Sequence, residues 1–229
     1  MKVGIMQPYL FPYLGYFQLI NAVDTFIIYD DVNYIKQGYI NRNNVLVDGE
    51  AKRFTVPVPG ASSFLKINEL QFSNDVEKVL KTIQQAYSKK PYFNDIYPLV
   101  ERVLLSPERS IPQMCLRAFT EIFSWLDLAP KIRLSSELNY PRPDGAADKV
   151  INLCLAVGGK QYINSIGGRH LYQQALFASH GLDLSFLKMQ EIVYPQGNHP
   201  FQPNLSIIDV LMHCSADDIK AHLMRYELL

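Results

Sequence analysis

The first stretch of the chain, Met1 to Asn44, limits the possible folds more than any other part of the sequence. Lys2 to Met6 is a short apolar run that predicts a buried strand, and the prolines and aromatic residues after it indicate a loop. The apolar residues from Gly15 onward suit a short helix, and Thr25 to Tyr29 is β-branched and aromatic enough to form a second strand. A strand, a loop, a helix and a strand form a βαβ unit, so the chain is expected to be an α/β protein with a mostly parallel sheet.

Polar side chains accumulate where these two predicted strands end. Gln7 follows the first strand directly, and Asp30 and Asp31 close the second. The residues that come next are also largely polar: Tyr34, Lys36, Asn41, Arg42, Asn43 and Asn44. Because open α/β sheets bind ligands in the crevice outside the carboxyl ends of their strands, we expect these groups to line one cleft. Asparagine and aspartate also cap helices and close turns, so a purely local role for them stays open.

The later part of the sequence, from Lys131, repeats the pattern of strand, turn and helix. Gln161 to Asn164 reads as a strand, and the turn after it, Ser165 to Arg169, is rich in glycine. At the start of a helix, the backbone N–H groups near Gly168 together with the Arg169 guanidinium can surround a phosphate or a carboxylate. The alternative is that these glycines only let the chain bend.

Helical periodicity dominates the chain between about residues 73 and 130, which predicts a helical lobe inserted into the α/β unit. A chain of 229 residues can bury a full core, so residues 1–229 are expected to form a single domain that carries this lobe. Asp48 and Gly49 predict a tight hairpin turn. Near the C-terminus, Ser206 and Asp209 have the spacing of a capping box before a buried helix.

The charge balance argues against two classes of partner. Lysine plus arginine and aspartate plus glutamate number 22 each, and no basic run is present, so neither nucleic acid nor a membrane surface is an expected partner. No window has the roughly 18 apolar residues of a membrane span. The three cysteines are far apart and in apolar contexts, so we expect no disulfide framework, no metal site and a reducing, cytoplasmic location.

Two sets of residues, one at each end of the chain, form unusual motifs. The front set is Gln7-Pro8, Pro12, Gly15-Tyr16-Phe17, Asp24, Tyr29 to Val32, Tyr34 and Asn41-Arg42-Asn43. The back set is Tyr162, Arg169, Phe177, Gly181, Tyr194, Gln196, Phe201 and Leu205 to Leu211. These motifs resemble those of the WbqC-like protein family, which is found among bacterial genes for O-antigen and other surface polysaccharides. The resemblance covers nearly the whole chain. It implies surface-sugar biosynthesis, with transfer of an amino acid or another acyl group onto an amino sugar.

The chain departs from the pattern of the family it resembles at three positions. Met6 and Gln18 stand where many members have histidine, and Tyr13 stands where many have tryptophan. If one of those groups transfers a proton in the family, this chain lacks the group that does so.

The front of the chain is also similar to that of nucleotidylyltransferases, which carry a T/H-x-G-H signature after the first strand. Their later element of strand, serine, arginine and helix is similar to Ser165 to Arg169. Tyr16 occupies the place of the histidine that would stabilise the transferring phosphate, and tyrosine carries no positive charge at neutral pH. The similarity therefore implies a shared fold more than a shared reaction.

Three functions agree with these observations. The leading hypothesis is a transferase that moves an acyl group, from a thioester on an acyl or peptidyl carrier protein, to the amine of a nucleotide-linked amino sugar. One alternative is a nucleotidylyltransferase-like enzyme that acts on a sugar phosphate, and the other is a non-catalytic sugar-binding or scaffold protein. No cofactor is firmly implied.

The transferase hypothesis gives each polar group a role. Asp30 or Asp31 would accept the ammonium proton, and Gln7 or Asn41 would stabilise the oxyanion. Arg42 and Arg169 would hold a diphosphate or a carboxylate by bidentate hydrogen bonds. The other substrate contacts are expected from Tyr9, Tyr13, Tyr16, Tyr34, Asn43 and Gly168.

Overall fold

The computed structural model describes all 229 residues and is built around a six-stranded sheet. Its strands are β1 (Lys2–Met6), β2 (Thr25–Ile28), β5 (Ile132–Leu134), β6 (Gln161–Ser165), β7 (Asp183–Met189) and β8 (Tyr226–Leu228). A separate hairpin consists of β3 (Arg42–Val47) and β4 (Glu50–Thr55). The helices are α1 (Leu14–Ala22), α2 (Glu77–Tyr87), α3 (Phe93–Leu104), α4 (Ile111–Trp125), α5 (Ala146–Ala156), α6 (Gln174–Ser179), α7 (Ile207–His213) and α8 (Ala216–Leu223).

The sheet has the strand order β5-β2-β1-β6-β7-β8, and every pair is parallel except β7 with β8. The expected α/β class with a mostly parallel sheet is therefore confirmed. From β1 the chain first builds outward through β2 to β5, then returns to the other side of β1 and continues with β6 and β7. The strand order reverses between β1 and β6, and in such sheets the crevice at the reversal is the usual ligand site.

Helices cover both faces of the sheet. Val3, Ile5 and Ile27 point to one face, where they share a buried cluster with apolar residues of α5 and α6. Phe26 and Ile28 point to the opposite face, which packs against α1, α7, α8 and the three helices between β2 and β5. Because both faces are buried, the strands are apolar on both sides, as expected for parallel sheets. None of the helices combines the length and the apolar character that crossing a bilayer requires.

The hairpin turn forms as its sequence predicts. Asp48 and Gly49 both have positive φ angles, 51° and 82°, which is the geometry of the two-residue turn that joins twisted antiparallel strands. The buried face of the hairpin carries Val45 and Phe54 into the larger core cluster. The hairpin thereby becomes a rigid support beside the sheet.

Candidate functional site

The carboxyl edge of the sheet brings together residues from four strands. Met6 pairs with Ile28, and Ile28 pairs with Leu134, so the next residues, Gln7, Tyr29 and Ser135, lie in one row. Residue alternation places Gln7 on the same face as Val3 and Ile5, and this is the face covered by α5 and α6. On the other side of β1, the Ser165 end of β6 contributes the glycine-rich loop. The row therefore crosses the strand-order reversal.

Asp31 is the centre of a charged cluster at this edge. Its carboxylate accepts hydrogen bonds from the Ser135 hydroxyl at 2.5 Å, the Tyr140 hydroxyl at 2.7 Å and Arg142 Nε at 2.7 Å. The Arg142 guanidinium also lies 4.1 Å from the centre of the Tyr140 ring and donates to the carbonyls of Tyr140 and Leu138. The cluster thus fastens the segment between β5 and α5 to the end of β2.

These contacts decide the protonation state of Asp31. Burial alone would raise its pKa, but the hydrogen bonds from Ser135, Tyr140 and Arg142 and the Arg142 charge outweigh burial, so the pKa is lowered. The same hydrogen bond raises the pKa of Arg142. Burial, followed by the neighbouring Asp31 carboxylate, raises the pKa of Tyr29. The site therefore contains an ionised carboxylate, a guanidinium and a neutral phenol.

Asp30 points to the opposite face and is fully buried. Its carboxylate accepts hydrogen bonds from the Ser136 backbone N–H at 2.9 Å and the Ser136 hydroxyl at 2.6 Å, and it shares the single proton of the Ser135 hydroxyl, 2.8 Å away, with Asp31. The expected grouping of both aspartates with Arg42 is wrong, because the guanidinium that reaches Asp31 belongs to Arg142. Both carboxylates hold the turn after β5 in place.

The predicted polar groups around the start of β3 bind the protein's own backbone. Asn41 accepts from the Tyr34 hydroxyl at 3.1 Å and donates to the Val56 carbonyl at 2.9 Å. Arg42 Nε donates to the Gly38 carbonyl at 2.8 Å, which closes the loop before the hairpin. These groups do not join the row at the carboxyl edge, so the expectation that all of them converge on one cleft is wrong in this part. A substrate contact from Tyr34, Asn41 or Arg42 stays an untested prediction.

Asn43 fixes the shape of the first loop, Gln7 to Tyr13. Phe11 in this loop has a φ angle of 49°, a left-handed conformation that costs about 1–3 kcal/mol for a residue with a side chain. Its carbonyl accepts hydrogen bonds from Asn43 Nδ2 at 2.9 Å and from the Ser206 hydroxyl at 2.7 Å. The Leu10 N–H also donates to the Ile40 carbonyl at 3.0 Å. The hairpin and the start of α7 thereby hold a strained loop in one conformation.

The tyrosines of the first loop and α1 have different surroundings. Tyr16 is buried, and its hydroxyl donates to the Gln7 carbonyl at 2.7 Å, so it holds the start of the first loop in place. Tyr9 is half-buried, with its ring centre 5.7 Å from Tyr16 and 6.3 Å from Tyr39. Tyr13 is half-buried and borders a cavity beside the end of β7. Tyr9 and Tyr13 thus keep part of their rings available to a ligand.

Gln7 and Arg169 keep polar groups that no protein group engages. The side-chain amide of Gln7 is half-buried and makes no hydrogen bond within the protein. The Arg169 guanidinium is exposed, with neither a hydrogen bond nor an ion pair. Gly168 is buried, and a Cβ there would collide with the Asn164 amide, so glycine lets this loop pack closely on β6. Two flanks of the strand-order reversal therefore carry an amide and a cation that are free to bind a ligand.

A buried network around Asp209 was not predicted as such. The Asp209 carboxylate accepts from the hydroxyls of Tyr87 at 2.8 Å and Tyr194 at 2.7 Å, and from Gln196 Nε2 at 2.8 Å. His213 Nδ1 lies 2.8 Å from the Asp209 carbonyl oxygen. Only Ser206 caps α7 with its side chain, so the capping role expected for the Asp209 carboxylate is wrong. In the sequence Asp209 stood out only as part of an expected capping box, and nothing there indicated its partners.

Comparison with known proteins supplies the family. A protein of Mycobacterium tuberculosis (strain ATCC 25618 / H37Rv), described as uncharacterized protein Rv1507c, is 28% identical over 221 residues. The match covers 94% of this chain and 95% of that protein. No solved structure matches the chain. The family model described as the WbqC-like protein family matches residues 7–221, and the chain belongs to that family.

Proposed function

We propose that this chain is a transferase of bacterial surface-polysaccharide biosynthesis that acylates the amine of a nucleotide-linked amino sugar. The observation that carries the proposal is the pair of free polar groups, Gln7 and Arg169, on the two sides of the strand-order reversal. A guanidinium with no partner in the protein suits the diphosphate of a sugar nucleotide. Membership of the WbqC-like family supports the biological setting, since the family resemblance implies surface-sugar biosynthesis.

The reaction needs few protein groups. The substrate ammonium first releases one proton to solvent. The neutral amine nitrogen then attacks the thioester carbonyl, the C–N bond forms and the C–S bond breaks, and the departing thiolate takes up the proton that the amine loses on becoming an amide. Gln7 is our choice for the oxyanion donor over Asn41, whose amide already donates to the Val56 carbonyl. The half-exposed Tyr9 ring is our choice to lie against the base or the sugar.

The two aspartates receive a revised assignment within this proposal. A carboxylate whose pKa is lowered is a weak general base, so Asp31 is assigned to hold Tyr140 and Arg142 and to give the site a negative charge that attracts an ammonium group. Asp30 is fully buried and bonded to Ser135 and Ser136, which assigns it a positioning role.

The saturation of both carboxylates favours one rival, a non-catalytic sugar-binding protein. Such a protein needs the free Gln7 amide, the free Arg169 guanidinium and the half-buried Tyr9 ring, and it needs no base. The nucleotidylyltransferase alternative gains no comparable support, because the Tyr16 hydroxyl is buried and donates to the Gln7 carbonyl.

The test combines binding with turnover. Purified protein is titrated with UDP- and dTDP-linked amino sugars, and the same mixtures are incubated with acyl thioesters and analysed by mass spectrometry for an added acyl group. Arg169→Gln should weaken nucleotide-sugar binding about 10- to 100-fold, the loss expected for a hydrogen bond to a charged group. Arg102→Gln is the matched control, since Arg102 pairs with Glu121 on the helical lobe away from the carboxyl edge.

Each outcome points to one function. Acyl transfer that depends on Arg169 and Gln7 supports the transferase. Binding that depends on Arg169 with no turnover for any donor supports the sugar-binding protein. Equal affinity of the wild type, Arg169→Gln and Arg102→Gln would remove the basis of both.

A further inference from the structure

A second site lies beside the carboxyl end of β7. A cavity of about 600 Å³ opens there, between the residues that follow Met189 and the irregular segment from Tyr194 to Leu205. This volume is within the range of about 300–1,000 Å³ that small-molecule sites occupy. Of the 13 residues that line the cavity, nine are hydrophobic. Its size and lining suit a ligand group of substantial apolar surface.

The wall of the cavity is held in place by buried polar groups. The Tyr194 ring packs edge-on against Phe201, with the ring centres 5.1 Å apart, and its hydroxyl is anchored on Asp209. Gln196 ties the same segment together, because its amide donates to Asp209 and to the Gln202 carbonyl and accepts from the Gln202 N–H. The segment from Tyr194 to Leu205 has no helix or strand, but the bonds of Tyr194 and Gln196 hold it in one conformation. The cavity beside it is therefore preformed.

The first loop forms the opposite wall. Tyr13 lies in the cavity lining, and the Tyr13 and Ser206 backbones form a bridge that joins the loop to the start of α7. The Tyr13 ring lies so close over Gly15 that any Cβ at residue 15 would collide with it. The loop that begins at Gln7 thus ends at this cavity and connects it to the carboxyl edge of the sheet.

The charge of the lining selects the kind of ligand. The cavity has no lysine, arginine or histidine, and its one charged residue is the acid Glu191. A phosphate in this cavity would face Glu191 and no cationic lining residue, because the neighbouring Arg225 guanidinium is not part of the lining and donates to the Glu191 backbone carbonyl at 2.9 Å. The lining therefore favours an uncharged, apolar ligand over a phosphate.

We propose that this cavity binds the acyl chain of the donor thioester, an inference that rests on the proposed acyl transfer for its biological meaning. Burial of an aliphatic chain against Leu14, Met189 and Phe201 supplies affinity without charge. The polar groups at the mouth, Gln190 and Asn204, are placed to accept the amide or ester end of such a chain.

The test uses S-acyl-N-acetylcysteamine thioesters with acetyl, butanoyl, hexanoyl and octanoyl chains, titrated calorimetrically into the full-length protein. Affinity should rise about fourfold for each methylene that the cavity buries. Val193→Trp should lower the affinity for the octanoyl thioester more than tenfold, because Val193 lines the mouth and is 60% exposed, so the larger ring can enter the cavity without disturbing the core. Leu105→Trp, at a position 58% exposed on the helical lobe, is the matched control.

The outcomes separate this inference from the proposed function. Chain-length dependence that Val193→Trp abolishes supports the acyl site even if no amino sugar is acylated. Turnover with equal efficiency for acetyl and octanoyl donors, unchanged in Val193→Trp, would overturn the acyl site and leave the transferase intact. A wild-type dimer that Val193→Trp converts to a monomer in sedimentation velocity would overturn it as well, since a second copy would then occupy the cavity.

Discussion

Replacement of Asp209 by asparagine tests whether the buried network supports the cavity wall. Asp209 is fully buried, and its two carboxylate oxygens accept three hydrogen bonds, one from Tyr87 on one oxygen and two from Tyr194 and Gln196 on the other. The asparagine amide has a single oxygen. In the best arrangement this oxygen keeps the hydrogen bonds from Tyr194 and Gln196, and the NH2 group turns toward the Tyr87 hydroxyl. The hydroxyl proton of Tyr87 then has no acceptor.

The magnitude follows from these lost contacts. A hydrogen bond to a charged group contributes about 1.5–3 kcal/mol, and a stranded buried donor costs about 1–3 kcal/mol. Removal of a buried negative charge offsets part of that loss. We expect Asp209→Asn to lower the free energy of unfolding by about 2–4 kcal/mol.

Urea unfolding followed by the fluorescence of Trp125, the single tryptophan, measures the change. Asp217→Asn on α8 is the control, since the Asp217 side chain is 96% exposed and its contact with Lys220 is a surface ion pair. In the same Asp209→Asn protein Tyr194 keeps its hydrogen bond but to a neutral amide oxygen, which holds it less firmly than a carboxylate, so the protein should bind the octanoyl thioester more weakly. An unfolding free energy within about 0.5 kcal/mol of wild type, the spread of ordinary surface substitutions, would refute the reasoning.

Three further predictions concern the carboxyl edge and the first loop. Because folding lowers the pKa of Asp31, its ionised carboxylate stabilises the fold above about pH 4, and this contribution is lost as the pH falls through the folded-state pKa. Asp31→Asn should therefore reduce the decrease in the free energy of urea unfolding between pH 5 and pH 3. A decrease as steep as that of the wild type would contradict the assignment. Asn43→Ala should cost about 1–2 kcal/mol and speed hydrogen exchange in the first loop, and unchanged exchange there would show that Phe11 is held by other contacts. Gly168→Ala should lower the melting temperature, because its Cβ would collide with the Asn164 side-chain amide. Gly167→Ala is the control and should have the melting temperature of the wild type, because no atom lies close to its Cβ. Equal melting temperatures of the two variants would contradict the packing argument.

The secondary-structure elements that depend only on neighbouring residues could be predicted from the sequence. The βαβ unit at the front follows from Lys2 to Met6 and Thr25 to Tyr29, because apolar runs of this length leave few alternatives to buried strands. Asp48 and Gly49 specify their own turn. The short strand Tyr226–Leu228 was not predicted, since three residues are too few for an alternating pattern to show.

The pairing of polar groups was not predictable, because it depends on contacts between distant parts of the chain. Asp31 meets Arg142, which is 111 residues away, and the nearer Arg42 closes its own loop. Asp209 meets Tyr87, which is 122 residues away. Sequence reasoning identified Asp31 and Asp209 as polar groups at element ends but could not choose their partners. That Gln7 and Arg169 have no partner within the protein became visible only once the contacts of Asp30, Asp31, Asn41 and Arg42 were known.

The strained carbonyl at Phe11 has a consequence for the way the protein is made. One of its two hydrogen-bond donors, Ser206, lies 195 residues further along the chain. A nascent chain whose first loop has left the ribosome still lacks that donor until Ser206 has been synthesised. The first loop therefore reaches its final conformation only after the start of α7 has joined it, so truncated products that lack α7 and α8 should leave the Phe11 carbonyl without this hydrogen bond even where β1 and α1 have already formed.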